Sequence, residues 1–267
     1  MNKLRFLHIP KTAGTTFTNI LHRQYPAKRR FELKANLANS LERFAALTED
    51  ERSNIALFTG HAPIFTGLDE ADSATIVTFL RNPISRVQSF CQHVFEGKSP
   101  HLLQRFPPAN FSLDEFLESG GHELANVQTK MLINTGNTTS PQLLNQMSPT
   151  DARDLALDNL QNRVAHFGLQ EYFDESLIIF SSALNWKMPV YFTRNTNKSA
   201  HKLEFEKRHL DKIAELNAID IEVFAHAKET FLKLRNSAKF DENKLKRFHR
   251  INNKLVGNLV RVREYFQ

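Results

Sequence analysis

Residues 6–17 read FLHIPKTAGTTF. The apolar run from Leu4 to Ile9 has the character of a buried strand, it stops at Pro10, and Thr15 begins a helical pattern that continues to Tyr25. A glycine-containing turn between a strand and a helix N-terminus is suited to anions, because backbone N–H groups point outward and the helix dipole adds partial positive charge. Lys11 contributes a full charge, Gly14 leaves room for close approach, and Thr12, Thr15 and Thr16 contribute hydroxyl donors. Such a loop fits a phosphate or a sulfate. It is not the G-x-x-x-x-G-K-[ST] pattern, since the lysine precedes the glycine. Taken alone, the loop also reads as a capped helix start with no ligand.

Two further short apolar runs, Ile55–Phe58 and Thr75–Leu80, lack clean alternation, which suits a parallel sheet covered on both faces. A helical pattern, Pro83–Phe95, follows the last of these, with Pro83 at a favoured first position. Strand alternating with helix predicts an α/β fold, a P-loop-like parallel sheet flanked by helices. Further on, SPTDARDLALDNLQNR has Ser148 as a cap and Asp151 three residues later, and EYFDESLIIFSSAL reads as an amphipathic helix. From about Glu206 the chain is largely helical, and glycines 120, 121 and 136 mark loops. No linker divides the sequence, so residues 1–267 are expected to form one domain.

The 267 residues are 41% hydrophobic and 24% charged, a composition ordinary for a soluble globular protein and a size ample for a real core. One cysteine, Cys91, excludes an internal disulfide framework and fits a reducing compartment; it reads as a small buried hydrophobe. No apolar stretch approaches the ~20 residues of a membrane span, and no signal peptide precedes the first strand, so a cytoplasmic protein is expected. The net charge of +6 is uneven. From Arg194 onward 17 Lys and Arg face 10 Asp and Glu, whereas the preceding residues carry 18 against 19. That basic end reads either as a solvated helical surface or as the neighbour of an anion.

The strand Thr75–Leu80 decides the kind of anion. Its end delivers Arg81, where a nucleotide-dependent phosphotransferase often places a magnesium-binding aspartate, and no carboxylate occurs between Thr75 and Gln92. Arg86 and Ser89 lie three apart on one helix face, and Arg81 with Ser89 could grip a second phosphate. The pair HIPKTAGTTF and LRNPISRVQSF resembles the two nucleotide-binding signatures of sulfotransferases that use 3′-phosphoadenosine-5′-phosphosulfate (PAPS). It is most similar to the branch containing heparan sulfate 2-O-sulfotransferase and its bacterial relatives. GHAPIF, NVQTKML, FGLQEYFDESL and LNAIDIEVFAHAKETF extend the likeness more weakly. Ala13 stands where many relatives have a second glycine. The resemblance implies that Lys11, Gly14, Thr15 and Thr16 hold the 5′-phosphosulfate, that Arg81 and Ser89 hold the 3′-phosphate, and that no metal takes part. It also implies a hydroxyl acceptor, expected on a carbohydrate or other small molecule, with PAP as product.

An attacking hydroxyl must lose its proton, and His61 in TGHAPIF follows a strand at the ligand-binding edge of an open sheet. It matches the histidine proposed as base in the 2-O branch; Glu32 is the second candidate, because other branches use a carboxylate. His8, inside the first apolar run, reads as structural. Asn126 and Gln128 are expected to pack a helix, while Arg194, Lys198 and Lys202 form a basic loop that either closes over the nucleotide or is solvated. Two alternatives remain open to the sequence: a magnesium-dependent small-molecule kinase, and a non-catalytic glycan- or nucleic-acid-binding protein. No nucleic-acid motif with interleaved aromatics supports the latter, and neither a membrane partner nor an oligomeric state is legible.

Overall fold

A computed structural model describes residues 3–34, 36–119, 121–134, 142–191 and 202–265. The elements run β1 (Leu4–Leu7), α1 (Gly14–Gln24), β2 (Arg30–Leu33), α2 (Leu37–Ala45), α3 (Glu49–Asn54), β3 (Leu57–Gly60), α4 (Asp69–Asp72), β4 (Thr75–Leu80) and α5 (Pro83–Phe95). There follow α6 (Leu113–Glu118), α7 (Val127–Ile133), α8 (Gln142–Asn145), α9 (Pro149–Asn162), β5 (Val164–Leu169), α10 (Phe173–Ala183), α11 (Lys207–Leu216), α12 (Ala218–Arg235) and α13 (Glu242–Tyr265). All five strands are parallel, in the order β2-β3-β1-β4-β5. The chain order reverses at β1, so the C-terminal ends of β1, β3 and β4 open onto the crevice where such sheets bind ligands.

Both faces of the sheet are covered, as continuous apolar strands require. On one face Leu7, Ile76 and Leu80 pack against α7, α9 and α12 through Leu132, Leu160 and Phe231. On the other, Phe6, Val77 and Phe79 meet Phe17 of α1, Phe180 of α10 and Phe248 of α13. The phenylalanine rings meet largely edge to face, Phe17 against Phe6 and Phe79 at 4.8 and 4.9 Å between centroids. Each such fully buried side chain contributes roughly 1.5–3 kcal/mol from apolar burial. Two smaller clusters join α2 to β2 and β3 through Phe31, Phe44 and Phe58, and α5 to α6 and α11 through Phe90, Phe116 and Ile213.

The strand Thr75–Leu80 and the helix Pro83–Phe95 fall where the sequence places them. Asn82 caps the latter, its Oδ1 accepting from the Ser85 N–H at 3.1 Å. β1 is shorter than its apolar run, and β3 sits two residues later than Ile55–Phe58. Two strands are additional. β2 is an edge strand whose four residues bury only Phe31 and Leu33, so RFEL carries too little pattern to stand out. β5, VAHFGL, mixes a histidine and a glycine into its apolar run. The stretch 26–54, which carries no strong pattern of its own, holds β2, α2 and α3. Gly120, Gly136 and the basic residues Arg194 and Lys198 lie outside the described residues.

Candidate functional site

The turn after β1 is built from left-handed residues. Lys11 has φ +68° and Ala13 φ +71°, both non-glycine residues in a region that costs an L-residue roughly 1–2 kcal/mol. This conformation ends the strand abruptly and starts α1 at Gly14, with Ala13 as its N-cap and no side chain capping the first turn. The free N–H groups of that turn, with the Thr15 and Thr16 side chains, therefore face the crevice rather than a protein acceptor.

Thr12 does not join them. Its side chain is fully buried, and its hydroxyl donates to the Ile9 carbonyl at 2.8 Å, bracing the turn from behind. The sequence expectation that Thr12 supplies a hydroxyl to the anion is corrected accordingly. Gly14 is glycine because of His8: a Cβ at position 14 would lie 1.7 Å from His8 Nε2.

His8 itself stands beyond the end of β1, not inside the strand, and lines the crevice. Its ring stacks on Phe6 at 5.1 Å and lies 4.1 Å from the ring of His61. Burial, then the proximity of His61, pushes His8 down to about 3, so this imidazole is neutral at any working pH. His61 follows Gly60, whose φ of +139° turns the chain at the end of β3. The His61 Nδ1 lies 2.9 Å from the His8 carbonyl oxygen. A carbonyl only accepts, so Nδ1 carries the proton and the neutral ring keeps its lone pair on Nε2. Nε2 makes no hydrogen bond among the described residues. Burial holds the His61 pKa below its ordinary value, opposed by the bond to His8 and by the charges of Glu32 and Glu123. Burial therefore favours the neutral ring, with its Nε2 lone pair on the cavity wall.

The loop bearing His61 is pinned from below. Arg5, 1% exposed on β1, donates from Nη1 to the Ile64 carbonyl and to Asp72 Oδ1, both at 2.8 Å, and from Nη2 to the Pro63 carbonyl. Asp72 also accepts from the Thr66 and Gly67 N–H groups. Asp72→Ala should leave the Arg5 guanidinium buried without its counter-ion, held only by the Ile64 and Pro63 carbonyls, at a cost of about 3 kcal/mol. Denaturant unfolding should read that loss; a variant within about 0.5 kcal/mol of the parent, the range of an ordinary surface substitution, would show that the pair contributes nothing.

From the other side, β4 runs into Arg81, the residue after its end. Gln128, 1% exposed on α7, clamps its backbone, accepting from the Arg81 N–H at 2.9 Å and donating to its carbonyl at 2.8 Å. The Arg81 side chain donates from Nη1 to the Lys11 carbonyl at 3.1 Å, while its Nε is buried with no partner among the described residues. That orphaned donor fits an anion, since a buried polar group left unpaired is costly. Lys11 makes no ion pair among the described residues, and burial, with Arg81 and Lys98 nearby, pushes its pKa down to about 8. Ser89, one helical segment on, lines the same crevice. Arg86 does not: fully buried, it donates to the Glu123 and Leu124 carbonyls and holds the chain ahead of α7.

These groups surround one cavity of about 1000 Å³ at the C-terminal edge of the sheet, which brings together Lys11, Gly14, Thr15, Thr16, His61, Arg81 and Ser89. Glu32, the second base candidate, is not among its walls; it sits exposed on edge strand β2, opposite Thr59. A carboxylate does approach Arg81: Glu171, in the FGLQEYFDESL segment after β5, accepts from the Asn82 N–H at 2.7 Å. A second cavity, about 410 Å³ and lined by Lys28, Arg30 and Arg43, lies at the opposite end of the strands, away from this chemistry.

Compared with known families, residues 67–256 match the model described as galactose-3-O-sulfotransferase. The chain belongs to this family. Curated relatives of the family member include heparan-sulfate 6-O-sulfotransferase 2 of Gallus gallus, 26% identical over 85% of this chain and 66% of that protein. The same enzyme of Danio rerio is 26% identical over 92% and 61%, and human heparan-sulfate 6-O-sulfotransferase 1 is 25% identical over 85% and 64%. The chain thus spans somewhat less than two thirds of the length of the curated relatives it matches. Among solved structures, mouse sulfotransferase SULT7A1 complexed with PAP aligns over 80% of this chain and 63% of that chain, at 11% identity and a TM-score of 0.39, too remote to extend the argument. These relatives carry 6-O names and the family model a 3-O name, so the narrower likeness to the 2-O branch rests on the sequence motifs alone.

Of the remaining sequence candidates, Asn126 packs as expected, accepting from the Asp220 N–H at 3.1 Å and tying α7 to α12. Cys91 is fully buried, and burial pushes its thiol up to about 12, so it is an inert hydrophobe. Lys202 is exposed and lines no part of the cavity. Among the described residues no helix is long and apolar enough to cross a membrane, and no His, Cys, Asp and Glu cluster is arranged to hold a metal ion.

Proposed function

We propose that the protein transfers the sulfuryl group of PAPS to a carbohydrate hydroxyl. The observation that carries this reading is the orphaned Arg81 Nε beside a Lys11 with no ion pair among the described residues, a cationic crevice suited to a nucleotide with two anionic ends, with the His61 lone pair on its wall. Family membership and the names of the relatives support the reaction class. Lys11, Gly14, Thr15 and Thr16 hold the 5′-phosphosulfate, and Arg81 and Ser89 the 3′-phosphate. When bound, PAPS supplies the sulfuryl group and carries off the electron pair of the broken S–O bond as PAP. The Lys11 ammonium balances charge on the departing phosphate. His61 takes the hydroxyl proton at Nε2 as the new O–S bond forms, while Nδ1–H stays on the His8 carbonyl and fixes the ring. A place in the 2-O branch is supported by the two phosphate motifs and His61, and a cytoplasmic setting by the single buried cysteine.

Calorimetry in excess EDTA tests the reading. PAP should bind much more tightly than AMP or ATP, because charge-assisted hydrogen bonds contribute roughly 1.5–3 kcal/mol each. Arg81→Ala should weaken PAP at least about tenfold and leave AMP nearly unchanged. Equal losses for both nucleotides would remove the 3′-phosphate assignment, and binding of ATP that requires Mg²⁺ would favour the kinase.

A further inference from the structure

The His8 ring touches both halves of the site, the turn after β1 and the histidine at the end of β3. What it does for the chemistry rests on the sulfuryl-transfer reading. Its backbone is fixed first: the His8 N–H donates to the Gly60 carbonyl at 3.1 Å, and its own carbonyl accepts from His61 Nδ1 at 2.9 Å. The ring is then clamped on three sides. Phe6 stacks on it at 5.1 Å with 17° between the planes, the His61 ring lies at 4.1 Å, and Gly14 closes the third side.

The contact with Gly14 is the tightest. The three atoms nearest to a Cβ at 14 all belong to the His8 ring, at 1.7, 2.1 and 2.6 Å, while the Gly14 backbone is ordinary and does not itself demand glycine. Neither nitrogen of the ring makes a hydrogen bond among the described residues, so shape and stacking hold it. Burial also keeps the ring uncharged at any working pH, so it cannot store the proton that His61 takes. Position, not proton transfer, is what it can contribute.

We propose that the His8 ring is a positioning residue, a wedge that fixes the His61 imidazole relative to the phosphosulfate turn and keeps it out of water. The Nδ1 bond alone would let the His61 ring swing, and a misplacement of about 1 Å between reacting groups can cost roughly 10² in rate. The charged groups acting on His61 are Glu32 of β2 and Glu123 ahead of α7. Neither depends on His8, so a changed His61 titration on removing the ring reports the hydration of the imidazole.

Two substitutions in the full chain test the wedge. His8→Ala should bind PAP within about threefold of the parent yet lower kcat at least about tenfold, with KM for PAPS little changed. The acid limb of kcat, and the NMR titration of the His61 ring in the free protein, should both move up by at least about half a pH unit, toward the ordinary histidine value. Gly14→Ala should weaken PAP at least about tenfold in the parent, where the methyl meets the ring, and less than about threefold in His8→Ala, where the space is empty. An unchanged His61 titration, a kcat within about threefold of the parent, a loss of PAP affinity as large as the loss of kcat, or an equal cost of Gly14→Ala in both backgrounds would each overturn the proposal. A parent that moves no sulfuryl group, with the His61 shift and the Gly14 rescue both present, would instead overturn the sulfuryl-transfer reading and leave the wedge standing.

Discussion

His61→Ala is expected to lower turnover by about 10²–10⁴, the range for loss of a positioned general base. The affinity for PAP should change little, because no phosphate-holding group depends on the His61 ring. The pH profile separates a chemical role from a structural one. In the parent, the rate should fall on the acid side as Nε2 becomes protonated. Burial lowers the His61 pKa, so this limb should lie below the ordinary histidine value near 6.5, and the enzyme should keep its base in mildly acid solution. In the variant the limb should vanish. Near-normal turnover with the limb intact would place the base elsewhere, and Glu123, on the same wall, would be the next residue to change.

Lys11→Ala should cut turnover by roughly 10²–10³, the scale for one transition-state donor in a crevice. Folding should survive, because Lys11 makes no ion pair among the described residues and its left-handed backbone is no better suited to lysine than to alanine. The sign of its pH effect is opposite to that of His61. A lysine pushed down to about 8 loses its charge as pH rises, so kcat/KM of the free enzyme should fall on the alkaline side from about pH 8. Bound phosphosulfate favours the charged form, so the same limb in kcat should move upward. Lys11→Arg, permanently charged, should abolish the alkaline limb even if its own rate is reduced. An alkaline limb that persists in Lys11→Arg would assign it to another group, and normal turnover in Lys11→Ala would show that the loop is not the reacting end of the site.

The parts of the site legible in the sequence are those that local signals encode. An apolar run interrupted by Pro10 and Lys11, and a strand running into Arg81 and Pro83, mark two loops by residue type and order, and both loops reach the cavity. What the sequence conceals depends on distance across the fold. Thr12 and Thr15 look equivalent along the chain, yet one hydroxyl is bound to Ile9 while the other faces the crevice. Gln128 and Arg81 are 47 residues apart, and nothing local indicates that one holds the backbone of the other. His8 has the look of a strand residue because apolar neighbours flank it; β1 ends one residue earlier and turns its ring toward His61. β2 escapes notice because a four-residue edge strand alternates only twice, which also hides that Glu32 belongs to the sheet.

The fit of His8 over Gly14 has an evolutionary consequence. The imidazole occupies the space a side chain at 14 would need, and the same residue's carbonyl holds the ring of His61. Position 14 therefore cannot drift independently of position 8. A lineage that acquires a side chain at 14 must first replace or redirect the ring at 8, and its base then needs a new support on that side. Among homologues, chains that keep the histidine ring at 8 in this place should keep glycine at 14 even where the rest of the turn has diverged, whereas glycine at 14 by itself leaves position 8 free to change.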